Sequence, residues 1–257
     1  MGQEFPGFFG GFGIGQTLKR WQRALKDPKG LGAGDLRKMN ADMRNMRDRL
    51  DGMAAQARTE LVLRGTGDDG ITRPDQCDWA ARAGAWTTEM RPRGLVGIDS
   101  PTKLPGGVTL FHDATQAEMS LRQEVAPHQV PGAIFGLVLE VYRFDGSFVS
   151  FVQDLPPEAM AGLVRNHFVS IRLNAEFEQT VEMYARLNIQ HGPNVEQLVR
   201  QVEFDGATGV AEFDLAYSKI NEKRIEKGWL DLIVEGPKTT RIALWDMVML
   251  RAPRADF

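Results

Sequence analysis

The chain has 257 residues, 42% of them hydrophobic and 25% charged, which is enough apolar matter for a real core and excludes a disordered or collagen-like polymer. The net charge of −3 is unevenly spread: residues 1–58 hold eleven Lys and Arg against six Asp and Glu, and the remainder holds twenty against twenty-eight. A lone cysteine, Cys77, excludes an internal disulfide and fits a reducing compartment. No apolar run approaches the roughly 18 residues of a membrane-spanning helix. The N-terminus lacks the basic start and cleavage pattern of a signal peptide. The expectation is a cytoplasmic protein, with peripheral attachment at the inner membrane as a variant.

Residues 1–16, MGQEFPGFFGGFGIGQ, carry six glycines, which argue against a stable helix there. The following TLKRWQRALKDPKG places Leu18, Trp21 and Leu25 on one helical face among Lys19, Arg20, Arg23 and Lys26, and Asp27-Pro28 ends it. An apolar stripe inside a basic helix fits an anionic membrane surface, a partner protein, or docking on the protein's own body. Asp35 is the expected N-cap of a second helix. In it Leu36, Met39, Met43, Met46, Leu50, Met53 and Ala57 alternate three and four apart, a seam suited to a homo-oligomer or to packing on the C-terminal domain. Residues 1–58 therefore read as a basic amphipathic helical extension. Residues 59–108 read as an irregular lead-in that carries Trp79 and Trp86 at a core edge.

Beyond residue 108 the period changes to two. In IFGLVLEVYRFDGSFVSFVQDL, Asp145-Gly146 between alternating runs signals a β-hairpin, and PPEAMAGL reads as one helical turn opened by proline. Strands are expected in FVSIRLNAEFE, TVEMYARLNIQ, LVRQVEF, GVAEFDLAY, WLDLIVEG and TRIALWDMVMLRA, with no long helix between them. That pattern predicts a mostly β protein: an antiparallel jelly-roll β-sandwich over residues 109–257, preceded by one or two amphipathic α-helices.

Motifs for metal, nucleotide or nucleophilic chemistry are missing from the sequence: there is no H-E-x-x-H, C-x-x-C, G-x-G-x-x-G, P-loop or G-x-S-x-G. No catalytic residue, metal ligand or cofactor is assigned. His112, Asp113 and Glu118 read as a strand end with a capped turn rather than an acid–base group. The acidic β region opposes nucleic-acid binding. Along TVEMYARLNIQ, Val181, Met183, Ala185, Leu187 and Ile189 share the core face, and Glu182, Tyr184, Arg186, Asn188 and Gln190 share the other. Trp229, Asp231 and Glu235 repeat the pattern in GWLDLIVEG. A ring, a guanidinium and amides on one face suit a glycan, so Tyr184, Arg186, Asn188, Trp229 and Asp231 are candidate ligand contacts, with His191 and Asn194 at the rim. The same pattern also fits a half-solvated sheet face with cross-strand Arg–Glu pairs, and His191-Gly192-Pro193-Asn194 also fits an ordinary turn.

FDGSFVSFVQDLP, ARLNIQHGPNVEQL, EFDLAYSKINEKRIEKGWLDLIVEGP and LRAPRADF resemble an uncharacterised family, a domain of unknown function found in alphaproteobacteria, over roughly residues 75–257. The order of strands, ending in RIALWDMVMLRAP, is similar to the galactose-binding-like jelly rolls of carbohydrate-binding modules. That resemblance implies a β-sandwich; a fold does not fix function, so it names no ligand, and the family match brings no catalytic residues. The expected function is a non-catalytic glycan-binding module. The alternatives are a scaffold that oligomerises through the methionine seam and attaches to a membrane, or a glycan-modifying hydrolase.

Overall fold

A computed structural model describes residues 12–27, 30–66, 70–127, 130 and 132–254. The chain divides into two compact units between Ala55 and Gln56. The first unit holds helix α1 (Phe12–Ala24) and most of helix α2 (Ala33–Thr66). α1 begins at Phe12, so Phe12–Gln16 are helical although glycine disfavours it. Glycine costs only about 1 kcal/mol per residue, and at a helix start that is tolerated. Residues 1–11 of the glycine-rich stretch lie outside the described residues. α2 starts two residues before Asp35, which sits in its first turn instead of capping it, where a carboxylate still favours the positive end of the helix dipole.

The second unit is a sandwich of two antiparallel sheets, as the alternating segments predict. In chain order the strands are β1 (Trp79–Arg82), β2 (Gly94–Val96), β3 (Thr102–Lys103), β4 (Val108–His112), β5 (Ala117–Val125), β6 (Phe135–Phe144) and β7 (Phe148–Asp154). After the short helix α3 (Pro157–Met160) come β8 (His167–Phe177), β9 (Met183–His191), β10 (Asn194–Gln201), β11 (Glu203–Asp205), β12 (Thr208–Asp214), β13 (Ile225–Glu235) and β14 (Thr240–Pro253). One sheet runs β11-β12-β8-β14-β6-β5-β2, with β1 added along the second half of β14. The other runs β10-β9-β13-β7-β4-β3. Three short strands of the lead-in thus belong to the sheets, and Trp86 within it is fully buried, donating from Nε1 to Leu244 O at 2.8 Å.

Alternation builds the core. Val169, Ile171, Leu173 and Ala175 of β8 and Leu137, Leu139 and Val141 of β6 face Met183, Ala185, Leu187 and Ile189 of β9 and Leu230, Leu232 and Val234 of β13. Every second residue of a strand enters the same layer, so the apolar parity of the sequence becomes the inner faces directly.

Asp145-Gly146 does not make a hairpin. β6 and β7 lie in different sheets, and the dipeptide is the corner between them. The β4–β5 connection crosses at the same end, and the two corners clamp each other. Asp113 accepts from Ser147 N, Ser147 Oγ and Phe148 N, and Asp145 accepts from Thr115 N, Thr115 Oγ1 and Gln116 N. The bond from Ser147 holds the Asp113 carboxyl below the usual range, and that from Thr115 does the same for Asp145. A Cβ on Gly146 would sit 2.5 Å from Asp113 Oδ1, so glycine is required by the neighbouring corner. A hairpin signal is a statement about local backbone. Here the aspartates spend their oxygens on a second loop about 30 residues away, which sequence proximity does not reveal.

Candidate functional site

The two sheets differ in what covers their outward faces. On the larger sheet Val248 and Leu250 are covered by Ile71, Cys77 and Ala80, and Val138, Ala243 and Trp245 gather with Val130. The outward face of the six-stranded sheet carries the predicted candidates. Pairing aligns Trp229 with Asn188 and Asp154, Asp231 with Arg186 and Val152, and Ile233 with Tyr184 and Ser150, while Phe111 of β4 lies opposite Ser150. Directly opposed residues share a face. This single face therefore presents Phe111, Phe148, Val152, Tyr184, Trp229 and Ile233, all half-buried, around a polar centre.

At the centre Asp231 is 2% exposed. Its Oδ2 accepts from Arg186 Nε at 2.6 Å, Arg186 Nη2 at 2.5 Å and Asn188 Nδ2 at 3.2 Å. Asn188, fully buried, also reaches Arg186 O at 3.1 Å and Trp229 O at 3.3 Å, tying the two strands. The Arg186 side chain stays 39% exposed while the Asp231 side chain is 3% exposed. The carboxylate thus fixes a guanidinium that still reaches solvent, leaving part of its donor fork open to water. Lys227 Nζ lies 5.6 Å from the Trp229 ring centroid. Tyr184 donates to Glu182 Oε2 at 3.0 Å, a bond that pushes the phenol pKa up. Two buried polar atoms of this face, Asn188 Oδ1 and Ser150 Oγ, lack a hydrogen-bond partner among the described residues.

The structure gathers Tyr184, Arg186, Asn188, Trp229 and Asp231 but sorts His191 differently. His191 is odd-numbered like Ile189, so it belongs to the inner parity and is 7% exposed at the strand end. Asn194 is exposed across the two-residue loop from it, and Gly192 at φ 61° supplies the positive φ that this hairpin requires. On α1, Lys19, Arg20 and Arg23 are exposed, Leu18 is 44% exposed and Trp21 is half-buried, and Leu25, just past the helix end, is 47% exposed. Along α2, Met39, Met43 and Met46 are half-buried, and Leu50 and Met53 are 46% and 56% exposed. The described residues include no helix long and apolar enough to cross a membrane and no cluster of three metal-ligating side chains.

Sequence reading missed Phe111, Phe148 and Val152, because their place beside Trp229 depends on the order β13-β7-β4 and no local pattern carries strand order. It also missed a cluster at one end of the sandwich, in which Arg251 and His167 are buried and Asp78 is exposed. Arg251 grips Asp78 through Nε at 2.9 Å and Nη2 at 3.0 Å, and through Nη1 donates to Ala159 O and Ala161 O, both at 2.8 Å. His167 Nε2 approaches Asp78 Oδ2 at 3.4 Å, and His167 Nδ1 accepts from Val164 N at 3.0 Å. Burial lowers the His167 pKa, aided by the Arg251 charge and opposed by Asp78. Both imidazole nitrogens and the whole guanidinium are engaged, so the cluster ties the lead-in and α3 to β8 and β14. On the larger sheet, Arg82 pairs with Asp246 through Nε at 2.7 Å and Nη2 at 3.1 Å; burial raises the Asp246 pKa and Arg82 opposes it.

Among solved structures, the chain is similar to the enzymatically active domain of bacteriophage CBA120 tailspike protein 4, at 10% identity and TM-score 0.38, over 55% of this chain and 19% of that one. It is also similar to a family 11 carbohydrate-binding module from Clostridium thermocellum, at 11% identity and TM-score 0.39, over 64% of this chain and 98% of that one. A C-terminal family 22 carbohydrate-binding module of Clostridium thermocellum Xyn10B matches at 8% identity and TM-score 0.38, over 72% and 99%. No curated protein matches the sequence. The match to a family of unknown function (DUF6478) runs over residues 1–257, the N-terminal helices included, and the chain belongs to that family.

Proposed function

We propose that the protein is a glycan-binding module whose binding surface is the outward face of the six-stranded sheet. The observation that carries this reading is the Arg186–Asp231–Asn188 network at the centre of a face that also carries half-buried rings. A pyranose has an apolar flank and a rim of hydroxyls. Trp229 and Tyr184 supply flat apolar area for the flank, and Arg186, held by a buried carboxylate, supplies oriented donors for the rim. Asn188 and Asp231 act beneath the surface, fixing what touches the ligand. Preorganised donors lose little entropy on binding, which is the physical advantage of burying Asp231 here. The test is a glycan array probed with the full chain beside Trp229→Ala and Tyr184→Ala. The reading expects a hit that both variants weaken by about tenfold or more, one lost stacking contact being worth about 1–2 kcal/mol. An array without a hit, or a hit indifferent to both variants, would reject it.

A second reading concerns the first unit. The exposed Leu18 and Leu25 beside Trp21, flanked by the exposed cations Lys19, Arg20 and Arg23, support peripheral attachment to an anionic membrane. Co-sedimentation with phosphatidylglycerol vesicles is expected for the full chain and expected to be lost in Leu18→Glu/Leu25→Glu. Equal sedimentation of both proteins would sink this reading.

A further inference from the structure

Among the described residues the sandwich has five outer strands, and four are short: β1 has four residues, β11 and β2 have three each and β3 has two. Short edges are one way proteins stop sheets from pairing with other molecules. The fifth, β10, has eight residues, and its sequence NVEQLVRQ contains no lysine, no proline and no bulge. It is also the strand next to β9 and its ligand candidates.

The hairpin tells which backbone groups face outward. The loop Gly192-Pro193 makes His191 and Asn194 the closing pair, and hydrogen-bonded pairs then recur every second residue. Asn194, Glu196, Leu198 and Arg200 turn their N–H and C=O toward β9. Val195, Gln197, Val199 and Gln201 turn theirs to the free edge, and among the described residues no backbone partner meets them. The Arg200 side chain agrees with this parity, since its Nη1 donates to the outward Val199 O at 2.8 Å. Val195 and Val199 are 43% and 49% exposed, an apolar pair on an open edge.

We propose that β10 pairs antiparallel with β10 of a second copy, about a two-fold axis at Leu198. Parity and charge select this register. The outward groups are on odd residues, so odd must pair with odd. With Leu198 opposite itself, Val195 meets Gln201, Gln197 meets Val199, and Glu196 meets Arg200 of the second copy, twice by symmetry. The strand is self-complementary in charge: one acid and one base placed symmetrically about Leu198. Because directly opposed residues share a face, the outward faces of both copies lie on one side and merge into a single sheet surface. The inference concerns assembly alone and does not depend on what that surface binds.

The test measures solution mass by light scattering for the full chain and for Val199→Lys, which places a charge on the outward edge at a half-exposed position and leaves the β9 ladder intact. A dimer that becomes a monomer in Val199→Lys, with an unchanged far-ultraviolet circular dichroism spectrum, is the expected result. In a Cys77→Ser background, Leu198→Cys is expected to give an oxidised dimer on a denaturing gel, since the two α-carbons meet across a non-hydrogen-bonded pair within disulfide range. A monomeric parent chain, or a dimer whose mass Val199→Lys does not change, would overturn the pairing. A Val199-dependent dimer that does not crosslink through Leu198→Cys would overturn the register about Leu198.

Discussion

Arg186 and Asp231 are unequal partners: the carboxylate is sealed beneath the sheet surface and the guanidinium reaches solvent. Arg186→Ala would therefore leave a buried charge without its cation. Breaking a fully buried pair costs about 3–5 kcal/mol; with Arg186 partly exposed, water screens the pair and about 2 kcal/mol is expected in chemical denaturation. The double variant Arg186→Met/Asp231→Leu, which removes both charges, is expected to recover most of that loss. A single variant as stable as the parent would show that the pair is incidental to the fold. His167 gives a second prediction at this scale. Its folded pKa lies below the unfolded value of about 6.5, burial being the main cause. The fold thus favours the neutral ring: the contribution is complete above about pH 6.5 and is lost as pH falls through the folded pKa. Asp78 has its pKa lowered: burial opposes this, and the Arg251 bond and charge together with His167 outweigh it. Its contribution is present above the ordinary carboxylate range and disappears only at more acid pH. Melting midpoints measured between about pH 8 and pH 5 should fall in the parent chain and fall less in His167→Gln. Parallel curves would remove His167 from the account.

At the scale of elements, the corner of Asp145-Gly146 and the parity of β9 show what a sequence does and does not carry. The inner and outer faces of β9 and β13 were legible, because burial on a strand obeys a period of two and both strands hold it. The same rule separates His191 from Arg186 and Asn188: one odd number in an even series puts a side chain on the other side of the sheet, whatever its distance along the chain. Which strands adjoin was not legible. Phe111 and Phe148 reach the candidate face only through β4 and β7, and the turn between β6 and β7 was misread because its aspartates are satisfied by a second corner far along the chain. Gly146→Ala tests that corner. The new methyl collides with Asp113 and with Ala114 N, so a loss of about 1–3 kcal/mol is expected in thermal or denaturant melting. A neutral substitution would mean that the two corners are not mutually fitted.

At the scale of the molecule, the fold leaves one sheet face open and covers part of the other. The lead-in from Ile71 to Ala80 covers part of the larger sheet with apolar contacts, while the smaller sheet presents rings and an oriented guanidinium over a buried carboxylate. The sandwich class and the parity of the candidate residues followed from regular alternation, whereas the neighbours that complete the face required the strand order β13-β7-β4, which no local pattern carries. The most direct measurement of the glycan claim is a nitrogen-15 NMR titration of the full chain with the strongest array ligand. The account predicts shifts concentrated on Tyr184, Arg186, the Trp229 indole and Ser150, and absent from the groove around Glu140, Tyr142 and Arg241 on the larger sheet. Shifts confined to that groove, or to α1 and α2, would contradict it.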